Sequence, residues 1–481
     1  MSLVRKAAGA AFWVAFATYA GQLITFLANI ALMRLIAPEA FGVLSLATFF
    51  CTLARKLVGF GFNHALIHKQ DDLDTAAGTH FALNLASAAV VMLTAFAAYP
   101  AVAHYYDRLT ALVLIGVSVG AAFESASFTP RIMLEKQVEF RGLMLLNLAI
   151  NLTVNGLAVG AAWLWPNVWV LAFRVAGAQA IEAIGYWKLN AGLKLQRPTR
   201  DMARWFLRFG SPLWLAGLAT FAVLQFDDFL VGTMIDEKAL GFYSRAYALA
   251  VLPTTMVGHI VARVAFPIYS QLQRDKNKLS EAFTLVMRLI VLFSGPAALG
   301  LAYCAPEFVA VVFGETWRPM ASLVRYLLLY EVLRPMFDDV GELFTAIGEP
   351  RKISRIQVAQ AIAVVVLTPP LVYFFAAKGA ALSVGLVMLL GVILAYRDLR
   401  PHVIFDFWGV LVLPLVLCLG AAGLSALVLS LWQPAGEVTR LIAKIVLFGG
   451  FTVLLLGLAQ GRRLRREYGE IKNRLTKREA V

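Results

Sequence analysis

The chain has 481 residues, of which 60% are hydrophobic and only 15% charged, with a formal net charge of +14 and a mean hydropathy of +0.74. A soluble domain carries roughly 25% charged residues, so the composition excludes an ordinary water-soluble globule. The basic residues are dispersed over many short connections rather than gathered into one patch, which argues against a nucleic-acid partner and for membrane lipids as the surroundings.

A spanning helix needs about 20 mostly apolar residues, and such runs cover nearly the whole chain. In order, the predicted spans are 11–33, 41–63, 80–103, 109–130, 142–164, 168–187, 209–233, 241–267, 283–305, 319–346, 357–377, 379–396, 407–432 and 441–459. The first is too long, and too well followed by further spans, for a cleaved leader. The span at 319–346 is heavily charged, and the turn between 377 and 379 is tight. The fold class expected is an all-α polytopic membrane protein of about fourteen transmembrane helices.

Orientation follows from the distribution of Lys and Arg. Alternating the spans puts 28 of them on one side and 6 on the other, with nine inside spans. The basic side is therefore cytoplasmic, and both termini lie on it. The densest cluster, Arg462, Arg463, Arg465 and Arg466, suits the anionic headgroups of the inner leaflet. Cys51, Cys304 and Cys418 fall within or at the ends of apolar spans without paired spacing, which points to packing rather than to a disulfide or a metal.

The longest basic internal connection, about 188–208, follows the sixth span and divides the chain. Shifting the first half by 199 residues lays Ala40, Gly42, Ser45 and Ala47 on Ala239, Gly241, Ser244 and Ala246, and Asn29 on Asp228. Six spans per unit make the repeat parallel, related by a pseudo-twofold along the membrane normal. The expected order is a six-helix bundle (1–190), a basic cytoplasmic linker (191–208), a second six-helix bundle (209–400), two additional helices (401–460) and a basic cytoplasmic tail (461–481). Two such bundles with a cavity between them can rock to open on alternate sides, which suits a transporter.

Ionisable residues inside a membrane are costly and are functional hypotheses by default. The candidate cations of a central cavity are Arg55, Lys56, Arg174, Arg245, Arg263, Arg288, Arg325 and Arg334, with Lys444 also in a span. Arg55 and Lys56 have no acidic neighbour on their own helix. Arg334 has Glu331 three residues before it and Asp338 four after, so a self-neutralising ladder fits those residues as well. Arg263 and Arg288 lie toward the cytoplasmic end, where snorkelling is the competing account. A cationic cavity asks for an anionic substrate, since Arg grips phosphate with two prongs and Lys supplies a point charge. With the cytoplasm negative, outward movement of an anion is favourable by about 2.3 kcal/mol per charge at 100 mV. Carboxylates, namely Asp227, Asp228, Glu331, Asp338 and Asp339, are candidates for coupling to H⁺ or Na⁺. Prolines within spans, among them Pro212, Pro253, Pro296, Pro335, Pro369, Pro370 and Pro414, mark candidate kinks.

Some local sequences resemble a known family. They are Asp228-Phe229-Leu230-Val231-Gly232 and the run from Ala239 through Gly241-Phe242-Tyr243-Ser244-Arg245 to Tyr247. Phe266-Pro267 with Gln271-Leu272-Gln273, Phe313-Gly314 with Trp317, and Ala37-Pro38-Glu39-Ala40-Phe41-Gly42 extend the likeness. Together they are similar to Wzx-type polysaccharide repeat-unit flippases, nearest the colanic-acid-exporter branch of the multidrug/oligosaccharidyl-lipid/polysaccharide superfamily, over most of residues 1–400. The resemblance implies two six-helix bundles plus two helices in a bacterial inner membrane. It implies an undecaprenyl-pyrophosphate-linked oligosaccharide as substrate, flipped to the periplasmic face for exopolysaccharide, capsule or O-antigen synthesis. It also implies loose association with glycan polymerase and chain-length proteins.

Rival readings are a multidrug exporter or a lipid II-type flippase of the same superfamily, and, from another class, a membrane glycan polymerase or ligase. Cationic drugs favour acidic cavities, which an excess of intramembrane Arg opposes. A polymerase or ligase is expected to carry catalytic groups on a sizeable outer loop. The outer loops here are short, and no metal cluster or nucleophile–base motif is evident among six histidines, so neither an enzyme nor a cofactor is expected.

Overall fold

In a computed structural model the chain is described over residues 3–136 and 140–478, with side chains described for all of these except 3–12, 14–15, 140–141, 212–213, 215–216, 254–264 and 462–478. All regular structure in the described residues is helical. The helices are α1 (Leu3–Leu35), α2 (Pro38–Val58), α3 (Phe62–His68), α4 (Leu73–Tyr105), α5 (Arg108–Lys136), α6 (Phe140–Leu164), α7 (Val168–Leu189), α8 (Arg200–Met234), α9 (Glu237–Leu272), α10 (Lys276–Val312), α11 (Arg318–Tyr326), α12 (Leu328–Ala346), α13 (Pro350–Leu399), α14 (Leu413–Trp432) and α15 (Glu437–Arg478). A π-helical stretch, Trp408–Val412, leads into α14.

The predicted spans fall on helix, except that the one at 41–63 overruns the end of α2 at Val58 into the turn before α3. Among the described residues, ten helices are long and apolar enough to cross a membrane. One of these, α13, is two helices: its dihedrals leave the helical region at Ala376 (φ 52°, ψ −141°). Two contacts show that the chain doubles back there. A methyl on Gly379 would lie only 3.0 Å from the Val372 nitrogen. The Gln360 amide donates to the Val387 carbonyl at 3.2 Å, although 27 residues of straight helix would separate them by roughly 40 Å. The predicted spans 357–377 and 379–396 are thus the two arms of a hairpin. The span at 319–346 is divided into α11 and α12, and its charge keeps it outside the apolar set. The short α3 has no counterpart among the predicted spans, since seven residues carry too little periodicity to see.

Helix starts follow local chemistry. The side chains of Asn167, Thr199 and Asp275 accept from backbone N–H groups in the first turns of α7, α8 and α10. Cys51, Cys304 and Cys418 are buried and free, and Cys51 and Cys418 pack in apolar clusters.

The chain divides into two compact units, Met1–Ser244 with Ala361–Ala380, and Arg245–Gln360 with Ala381–Val481. The first has one apolar core where α2, α4, α5 and α7 meet (Ala47, Val91, Val117, Ala172) and another around Phe62, Leu66, Ile132 and Phe206. The second is centred on Phe283, Met287, Met336, Val340 and Phe344, with a smaller cluster joining α10, α14 and α15.

Residues 199 apart meet within the first unit. Glu39 pairs with Lys238 at 2.9 Å, Ser45 donates to Ser244 at 3.2 Å, and Gly42 and Gly241 lie where a side-chain carbon on either would run into the opposing backbone. A residue that touches its own image marks a two-fold axis, as at an isologous interface. The shift found in the sequence therefore has a physical counterpart at the start of α2 and α9.

Candidate functional site

A cavity of about 340 Å³ opens in the first unit at the C-terminal end of α2. Its cations come from the last turn of that helix, Arg55 and Lys56, where unsatisfied carbonyls favour positive charge. The chain then turns through Gly59, Phe60 (φ 35°) and Gly61 (φ 64°) into α3. Glycine is required at the left-handed Gly61. Gly210 of α8 presses on the same turn, since a methyl there would lie 2.9 Å from the Phe60 carbonyl carbon. This close approach brings Trp214 over the cavity. Its indole N–H donates to the Lys56 carbonyl at 2.8 Å, and its ring stacks on Phe60 with centroids 5.2 Å apart.

The two cations differ in their surroundings. Arg55 forms an ion pair with Glu124 of α5 at 2.8 Å, both side chains about one-quarter exposed, and its guanidinium lies 5.9 Å from the Phe128 ring centre. Glu124 accepts a second hydrogen bond from the Gln179 amide of α7. Lys56 is exposed to the cavity, and its ammonium makes no ion pair or hydrogen bond among the described residues. Asn63, His64 and Asn84 add polar groups to the lining. Asn63 and Asn84 are both hydrogen-bonded at 3.0 Å to the ring of the fully buried His80, whose other nitrogen meets Thr129 at 2.8 Å. The cavity therefore combines two cations, amide groups and stacked aromatic faces. Such a lining accepts an anion together with a polar group that has apolar faces.

The other predicted residues whose side chains are described lie outside this lining. Arg174 of α7 donates to Asn29 at 2.8 Å. Arg325 donates from α11 to the Ala302 carbonyl at 3.1 Å. Arg288 is buried in α10 and Arg245 half-buried in α9; the Arg263 side chain lies outside the described residues. Arg334 donates to the Tyr330 hydroxyl at 2.6 Å, lies over that ring, and reaches Asp338 at 3.7 Å. The Arg334–Asp338 half of the anticipated ladder is present, while Glu331 takes no part in it. Asp227 accepts from Tyr243, and Asp339 from Tyr269 at 3.1 Å to each oxygen. Asp228 is half-buried in α8. Among the predicted cations with described side chains, Arg55 and Lys56 are the two that line this cavity.

Lys444 pairs with Glu307 at 2.7 Å in a largely buried contact between α15 and α10, its ammonium 4.8 Å from the Tyr303 ring centre. That cation is consumed in holding the last helix.

Comparison with known proteins gives a consistent picture. The family model described as "Polysaccharide biosynthesis protein" matches residues 31–322. The teichuronic acid biosynthesis protein TuaB of Bacillus subtilis (strain 168) is 24% identical over 308 residues, covering 61% of this chain and 62% of TuaB. The lipopolysaccharide biosynthesis protein WzxC of Escherichia coli (strain K12) is 24% identical over 360 residues, 72% of this chain and 71% of WzxC. Among solved structures, the lipid II flippase MurJ in an inward closed conformation superposes with a TM-score of 0.74 at 11% identity, covering 94% of this chain and 99% of MurJ. At that identity the likeness is one of fold. The family match spans more than half of the chain, and the chain belongs to the polysaccharide biosynthesis protein family, as a multi-pass membrane protein of all-α fold.

Proposed function

We propose that this protein is a flippase, not an enzyme. It carries an oligosaccharide repeat unit on undecaprenyl pyrophosphate from the cytoplasmic to the periplasmic face of a bacterial inner membrane, by alternating access, for surface-polysaccharide synthesis. Glycan polymerase and chain-length proteins would then act downstream. The family match and the likeness to WzxC and TuaB support the pathway class. The observation that carries the mechanism is the Arg55–Lys56 cavity with Trp214 and Phe60 at its rim.

The excess of Lys and Arg on one side supports a cytoplasmic position for both termini and, by alternation, for the C-terminal end of α2. A diphosphate entering from that leaflet meets Lys56 first and then competes with Glu124 for Arg55. The aromatic pair offers a face to a sugar ring, and the surrounding amides offer hydrogen bonds to its hydroxyls. The membrane potential favours outward passage of the diphosphate by about 2.3 kcal/mol per charge at 100 mV. Cations in this position disfavour the multidrug reading, whose cationic substrates would be repelled.

The test is binding of undecaprenyl pyrophosphate, against undecaprenol without phosphate, to the purified protein in nanodiscs. Arg55→Ala/Lys56→Ala should weaken binding of the pyrophosphate lipid tenfold or more, about 1.4 kcal/mol per tenfold, and leave binding of the uncharged lipid unchanged. Equal binding of the pyrophosphate lipid by variant and wild type would remove this cavity from the mechanism.

A further inference from the structure

Glu331 stands apart from the other acidic residues of the chain. It sits in the first turn of α12 with no solvent exposure, and neither carboxyl oxygen has a hydrogen-bond partner among the described residues. Its own helix does not supply one. Arg334, one turn on, is engaged by the Tyr330 hydroxyl and by Asp338. The Tyr330 hydroxyl also accepts from Tyr247 of α9 at 2.6 Å. The first-turn amides are no help either, because α11 runs into α12: the Leu327 N–H donates to Leu323 and the Glu331 N–H to Leu327, each at 3.0 Å.

Charged and titratable groups on the neighbouring helices are engaged elsewhere. On α9, Tyr269 donates both ways to Asp339, and Arg245 is half-buried with contacts of its own. On α10, Arg288 is buried with other contacts. On α11, Arg325 faces the Ala302 carbonyl. On α13, the Tyr396 hydroxyl points at the Met287 sulfur. None of these forms an ion pair with Glu331 among the described residues.

An ionised carboxylate taken out of water without a partner costs many kcal/mol, whereas a carboxylic acid forgoes only a hydrogen bond or two. We propose that Glu331 is the proton-binding site of the transport cycle, holding a proton in the conformation described and releasing it in one where water reaches α12. The step forms one O–H bond on uptake and breaks it on release on the other side, with no change in oxidation state. A divalent metal cation is a poor alternative, because it needs several oxygen ligands, and the described residues contain no group of three or more His, Cys, Asp and Glu that could hold one. The other four carboxylates are worse placed. Asp338 is exposed and paired, Asp339 and Asp227 accept from tyrosines, and Asp228 is half-buried with further contacts.

This proposal rests on the transporter reading, so the test separates the two. The full-length protein is reconstituted in lipid without substrate, and its infrared difference spectrum is recorded between acid and alkaline pH. Wild type should show a protonated-carboxyl C=O band at neutral pH. That band should vanish in Glu331→Gln and in Glu331→Met, and both variants should keep the wild-type Tm, since a neutral acid without partners is replaceable by either side chain. In cells, Glu331→Gln should abolish the dependence of repeat-unit flipping on the pH gradient. A band that survives in both variants overturns the proposal. So does failure of both variants to fold, because it would mean that the carboxylate is charged and needed. If the band behaves as expected while neither wild type nor variant flips repeat units, the transporter reading fails and the proton site stands.

Discussion

Replacing Gly42 or Gly241 by alanine tests the pseudo-twofold contact through the sign of its effect. In an exposed helix interior, Gly→Ala stabilises by about 1 kcal/mol. At Gly42 the new methyl would sit 2.5 Å from the Glu237 carbonyl carbon, and at Gly241 it would sit 2.8 Å from that of Pro38. Carbon atoms pack at about 3.5–4.0 Å, so α2 and the start of α9 must part by about 1 Å. The obstacle on each side is backbone, which cannot rotate away. The Ser45–Ser244 hydrogen bond, now 3.2 Å, would stretch past its useful range and forfeit about 0.5–1.5 kcal/mol. Overpacking adds about 1–3 kcal/mol. Together these outweigh the helix-propensity gain, for a net loss of about 1–3 kcal/mol. Gly156 of α6 has nothing within 4 Å of its would-be methyl and serves as the control. In thermal unfolding of the detergent-solubilised protein, Gly42→Ala and Gly241→Ala should lower the Tm, while Gly156→Ala should hold or raise it. A rise in Tm for all three would refute the close approach of the two helices.

Three further outcomes follow from ion pairs and caps. Glu124→Gln removes the competitor for Arg55 and should tighten binding of undecaprenyl pyrophosphate several-fold in the nanodisc assay; unchanged or weaker binding contradicts the role given to Arg55. Lys444→Met leaves Glu307 charged and largely buried, at a cost of about 3–5 kcal/mol, and Lys444→Met/Glu307→Met should restore most of the lost Tm. Asp275 caps α10, and the Lys278 N–H and ammonium hold its carboxyl below the usual carboxylate range. A carboxyl lowered in the folded state contributes stability above its unfolded pKa of about 3.9 and loses it as the pH falls through the lower folded value. Asp275→Ala should therefore lower the Tm at pH 7, with the gap to wild type closing below about pH 4.

The helices were legible because a membrane span writes itself as about 20 apolar residues. The same rule resolves α13, where Lys378-Gly379 divides two runs and the chain turns back at Ala376. The 199-residue shift also picked out residues that meet, with small side chains where the backbones approach, as at Gly42/Gly241 and Ser45/Ser244. Partners across helices were not. Arg55 lacks an acidic neighbour in its own helix, yet Glu124, 69 residues on, meets it at 2.8 Å; periodicity along one helix carries no record of which face of another it touches. For the same reason nothing in the sequence marks Phe60 and Trp214 as a stacked pair, except the Gly59-Phe60-Gly61 turn that permits it. At Glu331 the local pattern pointed to the wrong partner. Spacing of three and four puts it in one ladder with Arg334 and Asp338; the structure keeps the Arg334–Asp338 half, adds Tyr330 to Arg334, and leaves Glu331 out.

The central claim is tested most directly by the sidedness of lipid-linked repeat units in cells lacking this gene. The account predicts that they accumulate on the cytoplasmic leaflet and that surface polysaccharide is lost. The intact gene should restore both, and Arg55→Ala/Lys56→Ala should not. Repeat units that reach the periplasmic face and remain unpolymerised would contradict the flippase and make a membrane polymerase the leading account.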